Sequence, residues 1–592
     1  MADTNICKVC RKVFSDPIIQ YSSWTQHHTD YQDILSSVAS GCIICRWLSL
    51  QVSPRPTILP GGRETFNTVS DFKDLSKSNP VVCFKGEFSV KRQDSAYSIV
   101  ADTTDALGQH PASPSQPPTT DATTTGLDES LDKLRVWLNN CTNHHKYCLQ
   151  YINPVFFPTR VIDTQNIENG TVNLRDKTHI CTEKTFPPYW TLSHRWGDPA
   201  KVLQLYKGNT KTGTVSNEEH FRNGIGLYEI SPIFRDAVQL VYKMGYRYIW
   251  IDSLCIFQDS PSDWEVEAAL MNDVYGNSFC NISAIRPSYD ASLGLFGQRM
   301  IDPRTFQPFS VEAEFPVDGN RRREKCQISY NSLFTNDVNN SPLSSRGWVV
   351  QERFLARRII HFTRTQLYWE CLEFTRCEED PDNQHGVMET DEQTKEYREM
   401  REYKATFRKI IREVDFKEFG ASREGGTPFG IPWPTPRECW RLMVQTYSGC
   451  DLTQRGDILI AILGVAKRFE EFYPNDKYMA GLWKEALHTD LTWESNASEG
   501  APVKCDTNLA PTWSWASLIG GRITVQAARQ TYGGEAASCI EFVEARTAPG
   551  HNDKIVELDI KATFYFFQKR DNSEEYDFFA DDNKPGQITQ TE

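Results

Sequence analysis

Nowhere in its 592 residues does the chain hold an apolar run approaching the roughly 20 residues that a membrane helix needs, so no membrane span is expected. A long stripe of lysine and arginine is missing too. The 64 Lys and Arg stand against 78 Asp and Glu, a formal net charge of −14, and the densest basic cluster, RRREK at 321–325, reads as a solvated loop. Duplex binding requires many phosphate-neutralising cations, so nucleic acid is not expected as a partner. There is no Gly-rich phosphate loop and no dinucleotide-binding fingerprint, which removes P-loop and Rossmann chemistry. Neither a nucleotide-binding oligomerisation domain nor a WD-type repeat is present. The opening MADTNICKVCRKVF shows neither the apolar core of a secretory signal nor the Arg/Ser pattern of a transit peptide. The 17 cysteines are odd in number and spread along a long chain, which is a poor disulfide framework. A cytoplasmic protein is the expectation.

What is present suggests about three to four domains at this length. Composition divides the chain into a Cys-rich region at 1–106, a Pro/Ser/Thr linker at 107–129 and a Cys/His-containing lead-in at 130–185. An α/β unit at 186–376, a helical and strand-bearing region at 377–570 and a polar tail at 571–592, expected to be disordered, complete it.

The organising stretch is 231–284. Ser231 before Pro232 is an N-cap followed by a first-turn residue. Ile233, Phe234, Ala237, Val238, Val241 and Met244 recur at helical spacing, and Gly245 ends the helix. The aromatic and β-branched run from Tyr246 to Ile251 predicts a strand covered on both faces. Asp252 stands at its end, where open α/β sheets hold ligands. A second helix carries Trp264, Ala268, Met271 and Tyr275 on one stripe, and a strand follows at 280–284. Upstream, YWTLS at 189–193 predicts another buried strand, which breaks into HRWGD at 194–198. Two such ends from one sheet would face one crevice, which makes Ser193, Arg195, Trp196, Asp198, Asp252 and Gln258 candidates for its crest. Glu267 is either a crest group or an ion-pair partner of Arg286.

Downstream, SSRGWVVQERFL predicts a helix capped by Ser344 or Ser345, with Trp348, Glu352 and Leu355 on one face. A glutamate on that stripe is either a partly buried carboxylate of the kind active sites use or a rim ion pair with Arg346 or Arg353. Two Cys-x-x-Cys pairs, Cys7/Cys10 and Cys42/Cys45, could bring four thiolates to one tetrahedral Zn²⁺; the alternative is small buried thiols packed against Ile43, Ile44 and Trp47. Cys141, His145 and Cys148 could ligate a metal with those pairs, or form a buried structural cluster. Helices are expected at 394–414, 440–447, 459–468 and 478–492, and strands at 161–164, 171–174 and 555–567.

Three of these stretches, YWTLSHRWGD, YIWIDSLCIFQDSPSDWEVEAALMNDVYGNSF and SRGWVVQERFLARRIIHF, resemble, in order, the three motifs of the heterokaryon-incompatibility (HET) domain of filamentous fungi. The resemblance spans about Tyr189 to Glu370, and the flanking WLNNCTNHHKYC, YSGCDLTQRGDILIAILGVAKR, YMAGLW and APTWSWAS runs are similar to those around such domains. His194 stands where a Tyr or another residue is more usual. The resemblance implies a non-self recognition protein that triggers regulated cell death through protein partners or self-association. It also implies an α/β fold similar to the TIR domain, a flavodoxin-like parallel sheet core. Some TIR domains cleave NAD⁺ at its nicotinamide N-glycosidic bond, and GWVVQERFL is similar to the helix that bears their glutamate. The implied roles are a catalytic Glu352, phosphate contacts from Arg195 or Arg346, and ring stacking by Trp196 or Trp348, with Gln351 beside them. Two other readings compete: a non-catalytic signalling and assembly module, and thiol chemistry at Cys255 with His194 or His361.

Overall fold

Continuous apolar runs build the centre of the protein. The computed structural model describes residues 6–10, 31–46, 128–150, 155–180, 186–299, 334–378, 435–496 and 509–519, a few internal positions aside, and isolated helical or strand segments elsewhere. Among the described residues the main sheet has nine strands: β1 (Arg160–Asp163), β2 (Thr171–Asp176), β3 (Tyr189–Ser193), β4 (Ile225–Gly226), β5 (Tyr248–Trp250), β6 (Cys280–Ser283), β7 (Arg358–Phe362), β8 (Leu367–Cys371) and β9 (Thr375–Cys377). Their spatial order is β9-β8-β7-β6-β3-β5-β1-β2-β4. The inner four, β7-β6-β3-β5, are mutually parallel, and every residue of each is buried. That burial on both faces is why they read as unbroken apolar runs rather than alternating ones.

The rest of the sheet is antiparallel. β1 pairs with β2 and β5, β2 with β4, β8 with β7, and β9 with β8. The α/β class stands, but the parallel sheet expected from the resemblance is a four-stranded centre inside a mixed sheet. The paired strands at 161–164 and 171–174 form as anticipated and extend that sheet.

The helices around this sheet and its flanks include α1 (Tyr31–Ala39), α2 (Asp128–His144), α3 (Lys146–Gln150), α4 (Pro232–Lys243), α5 (Asp252–Cys255), α6 (Pro261–Gly276), α7 (Gly347–Leu355), α8 (Pro436–Ser448) and α9 (Ile460–Glu470). Helix α4 begins as its sequence dictates: Ser231 Oγ accepts from Phe234 N at 3.4 Å, Pro232 takes the first turn, and Gly245 follows the helix at φ +81°. Helix α2 lays Trp137 against Trp369 of β8, with ring centroids 6.5 Å apart. Helices α8 and α9 share one hydrophobic core with the sheet, so the C-terminal region packs on the central unit.

Some expectations do not survive. Helix α7 starts at Gly347, and its cap residue is Arg346 rather than Ser344 or Ser345, whose hydroxyls bond Val338 O and Pro342 O. The segment 478–492 is not one helix. Tyr478–Met479 and Leu482–Trp483 form a hairpin whose turn residues, Ala480 and Gly481, both have positive φ, and only short helical turns follow. RRREK lies within the strand Asn320–Tyr330, whose backbone register sets Arg323 opposite Glu314 and Lys325 opposite Glu312, so it is strand rather than loop. Strands Tyr576–Ala580 and Gly586–Ile588 occupy the tail expected to be disordered; the first pairs with aromatic-rich Tyr565–Lys569. The linker at 107–127 lies outside the described residues, as does most of 394–414.

One ion pair ties α7 to the sheet. Arg353 Nε and Nη2 donate to the two oxygens of Glu370 in β8 at 2.8 and 3.0 Å, and His361 Nε2 lies 3.2 Å from Glu370 Oε2. Burial raises the Glu370 pKa, but Arg353, His361 and Lys404 outweigh it and hold the carboxyl well below its usual range. Its contribution is therefore present above the unfolded value and lost as pH falls through the depressed folded one. Glu370→Gln should cost on the order of 3–5 kcal/mol at pH 7, because it leaves a buried guanidinium uncompensated. Denaturant titrations at pH 7 and pH 3 should show that deficit narrowing in acid; an equal deficit at both would contradict the assignment.

Candidate functional site

The four parallel strands all release the chain at one edge of the sheet, and the three motif segments meet there. Ser193, the last residue of β3, is buried. Asn281 of β6 donates from Nδ2 to Ser193 Oγ at 2.9 Å, while its Oδ1 accepts from Thr191 Oγ1 at 3.0 Å. Past β3 the chain turns outward, and Trp196 Nε1 donates to Asp252 Oδ2 at 2.7 Å. Asp252 follows β5 by two residues and opens α5; its Oδ1 accepts from Ser253 N at 2.7 Å and lies 3.7 Å from His194 Nδ1. Burial lowers the His194 pKa, Asp252 opposes this and Arg346 adds to it, so the imidazole is neutral near neutral pH. Arg346, the cap of α7, donates to the His194 carbonyl oxygen. Backbone and side chains thus bind the first, second and third motifs to one another.

Glu352 enters this junction from α7. It is 6% exposed, and the hydroxyls of Ser193 and Tyr275 lie near enough to its carboxyl to act on its titration, while the Tyr275 hydroxyl itself donates to Leu192 O at 3.3 Å. Its Oε2 has no hydrogen-bond partner among the described residues. Burial raises its pKa to about 7; Ser193, Arg346 and Tyr275 pull it down, and Asp252 pushes it further up. A buried carboxyl titrating near neutrality beside two hydroxyls and a guanidinium can act as an acid, a base or a counter-charge. Among the described residues no ion pair joins Glu352 to Arg346 or Arg353, so the rim salt-bridge alternative fails; Arg353 belongs to Glu370.

Of the candidate crest residues, the structure brings Ser193, Trp196, Asp252, Arg346 and Glu352 together. Others lie apart. Trp348 Nε1 donates to Asp457 Oδ2 at 3.3 Å, toward the C-terminal region. Gln351 Oε1 accepts from Gly464 N of α9 at 2.8 Å, an approach so close that a Cβ on Gly464 would meet Gln351 Oε1 at 2.6 Å. Gln258 Nε2 braces its own loop through Asp252 O and Ile256 O. Glu267 pairs with Arg160 at 3.2 Å rather than with Arg286, which donates to Gly294 O and Phe296 O. Arg195 and Asp198 are exposed on the turn, where Asp198 accepts from Ala200 N. Cys255 is buried, and burial pushes its thiol up to about 12, which removes thiol chemistry at that position. A cleft of about 340 Å³, lined in part by Asn272, Phe354, Phe407 and Arg468, does not include Glu352.

Two site residues escape the sequence reading. Helical spacing gives Tyr275 only a place in a core stripe, although a buried phenol must find a hydrogen-bond partner. Asn281, a polar residue inside an otherwise buried strand, carries the same kind of signal.

At the N-terminus, Cys7, Cys10, Cys42 and Cys45 place their sulfurs within 4.8 Å of one another. Cys7–Cys45, Cys10–Cys45 and Cys42–Cys10 separations are 3.6, 3.5 and 3.7 Å. A tetrahedral ion with Zn–S bonds of about 2.3 Å sets its ligand sulfurs roughly 3.8 Å apart, so this donor set fits Zn²⁺.

Residues 189–352, the centre of this chain, match the family model of the heterokaryon incompatibility protein (HET). The match ends on Glu352. No curated protein and no solved structure matches the chain. Among the described residues, no helix is long and apolar enough to cross a membrane.

A carboxyl whose folded pKa is raised favours the protonated native state: that stability is full below the unfolded value of about 4.3 and is lost as pH rises through about 7. Glu352→Gln removes this titration. The variant should gain on the wild type between pH 5 and pH 8, by on the order of 2–3 kcal/mol from the linked shift. Unfolding curves at the two pH values check this; an unchanged gap would show that Glu352 is not held neutral.

Proposed function

We propose, from the premise that this is a HET domain protein, that it acts in fungal non-self recognition by triggering regulated cell death, and that its death-inducing chemistry is cleavage of NAD⁺ at the nicotinamide N-glycosidic bond. The observation that carries this reading is the Glu352 carboxyl, buried at the carboxyl ends of parallel strands with one oxygen unpartnered among the described residues. The parallel centre β7-β6-β3-β5 supports the TIR-like, flavodoxin-type core that the motifs resemble.

Cleavage releases nicotinamide, and water adds to the ribose carbon to give ADP-ribose and a proton. The transition state has oxocarbenium character, so a carboxylate beneath the ribose stabilises the positive charge as it develops. A group titrating near 7 responds to that charge: the cationic nicotinamide ribosyl unit draws the carboxyl to its ionised form where it is needed. Ser193 and Tyr275 place hydroxyls beside it that favour its ionised form. Arg346, within electrostatic reach of Glu352, supplies the cation for a phosphate, and Trp196, fixed by Asp252, supplies a ring face. The Cys7/Cys10/Cys42/Cys45 cradle is read as a structural Zn²⁺ site on the sulfur spacing above.

A second reading, a signalling module that recruits partners, has a specific observation in its favour. Glu352 is covered, and its helix neighbours Trp348 and Gln351 are committed to bonds with Asp457 and Gly464 that hold the C-terminal region. Expression in yeast separates the two. Wild type should kill and deplete NAD⁺ together, while Glu352→Gln and Glu352→Ala at equal soluble levels do neither. Killing by the variants, or killing with NAD⁺ unchanged, would support the recruiting module and sink the hydrolase.

A further inference from the structure

The geometry points to a second metal centre, separate from the N-terminal cradle: Cys141, His145, Cys148 and Cys371 form a Cys₃His site for Zn²⁺ or a similar thiophilic divalent ion. Cys141 lies in the last turn of α2, His145 at the corner, Cys148 in α3, and Cys371 at the end of β8. Their ligand atoms all lie within 4.8 Å of one another. The three cysteines are fully buried, and His145 is 6% exposed. His145 Nδ1 is 3.5 Å from Cys371 Sγ and 3.9 Å from Cys148 Sγ. With Zn–S near 2.3 Å and Zn–N near 2.0–2.1 Å, a tetrahedron requires about 3.6 Å between such a pair. The donors therefore already stand close to the separations that one ion would impose.

Two of the three sulfurs sit among donors that suit a thiolate. Backbone N–H groups of Glu373 and Phe374 donate to Cys371 Sγ at 3.4 and 3.5 Å, and Arg358 Nε donates to Cys141 Sγ at 3.1 Å. A neutral thiol sulfur is a weak acceptor, whereas a thiolate makes each a charge-assisted bond. Arg358 is itself 2% exposed, and its other donors reach the carbonyl oxygens of Phe279 and Cys148. No carboxylate pairs with it among the described residues. A buried guanidinium needs a counter-charge. Three thiolates and a neutral imidazole around a divalent ion carry one net negative charge, which balances it. The His145 ring is held edge-on to Phe374, centroids 4.4 Å apart, with Nδ1 toward the sulfurs.

Such an ion joins both flanks of the HET match, since three ligands precede residue 189 and the fourth follows residue 352. It fastens α2 and α3 to β8, the strand whose Glu370 holds Arg353 next to Glu352. The test is metal analysis of the full chain in which Cys7, Cys10, Cys42 and Cys45 are all changed to Ser, which leaves the proposed centre untouched. This protein should retain about one zinc per chain, and Co²⁺ in its place should give the intense sulfur-to-metal charge-transfer and tetrahedral d–d bands of a three-thiolate site. Adding Cys371→Ser to a soluble preparation should then abolish the bound metal. A folded four-serine protein without zinc, a Co²⁺ spectrum lacking those bands, or undiminished metal after Cys371→Ser would each overturn the assignment.

Discussion

Helix α7 carries three consecutive polar residues into the interior, and the need to satisfy each of them governs how the protein is assembled. Gln351, Glu352 and Arg353 are 1%, 6% and 6% exposed. Burying an amide, a carboxyl and a guanidinium is costly unless each finds partners. Gln351 is met by the backbone of α9, which pins the C-terminal region to the domain, and Arg353 is met by Glu370 on β8, which pins the helix to the antiparallel side of the sheet. Glu352 is the exception. It faces the ends of the parallel strands, and its polar neighbours leave one oxygen without a partner among the described residues. Two of the three residues therefore act as anchors, and the energy they supply holds the third in an environment it would not choose. A buried carboxyl whose titration burial raises, held between two well-satisfied neighbours, is the arrangement that the proposed chemistry calls for.

The helix also ties the three motif segments to one another. Arg346 at its start bonds the carbonyl of His194, and Asp252 receives Trp196 and faces His194. Each motif closes a valence of another, so none could vary freely, whichever of the two functional readings holds. The strand ends bring these segments to one edge, and α7 seals them.

Much of this is legible in the residues alone. The Ser231–Pro232 start, the buried strands at Tyr189 and Tyr248 and the crest position of Asp252 follow from local rules of capping and two-sided burial, and they stand where those rules put them. Helical spacing also identifies Glu352 as an odd carboxyl. It does not show that Trp348, on the same stripe, turns toward Asp457, because that depends on a partner more than a hundred residues away. Nor does it show the fourth ligand of the Cys141 cluster. A cysteine at the end of LYWEC looks like any small buried residue, and only the antiparallel return of β8 beside α2 gives it neighbours. The hairpin at Tyr478–Trp483 reads as helix when its apolar content is weighed above a Gly at a turn.

The most direct test of the central idea, that the crest is built around a chemically competent Glu352, is release of nicotinamide from NAD⁺ by the purified full-length chain, compared with Glu352→Gln. The account predicts stoichiometric nicotinamide and ADP-ribose from the wild type, with activity rising as pH passes the carboxyl's titration near 7, and none from the variant. Equal release by both proteins, or none from a correctly folded wild type, would contradict it.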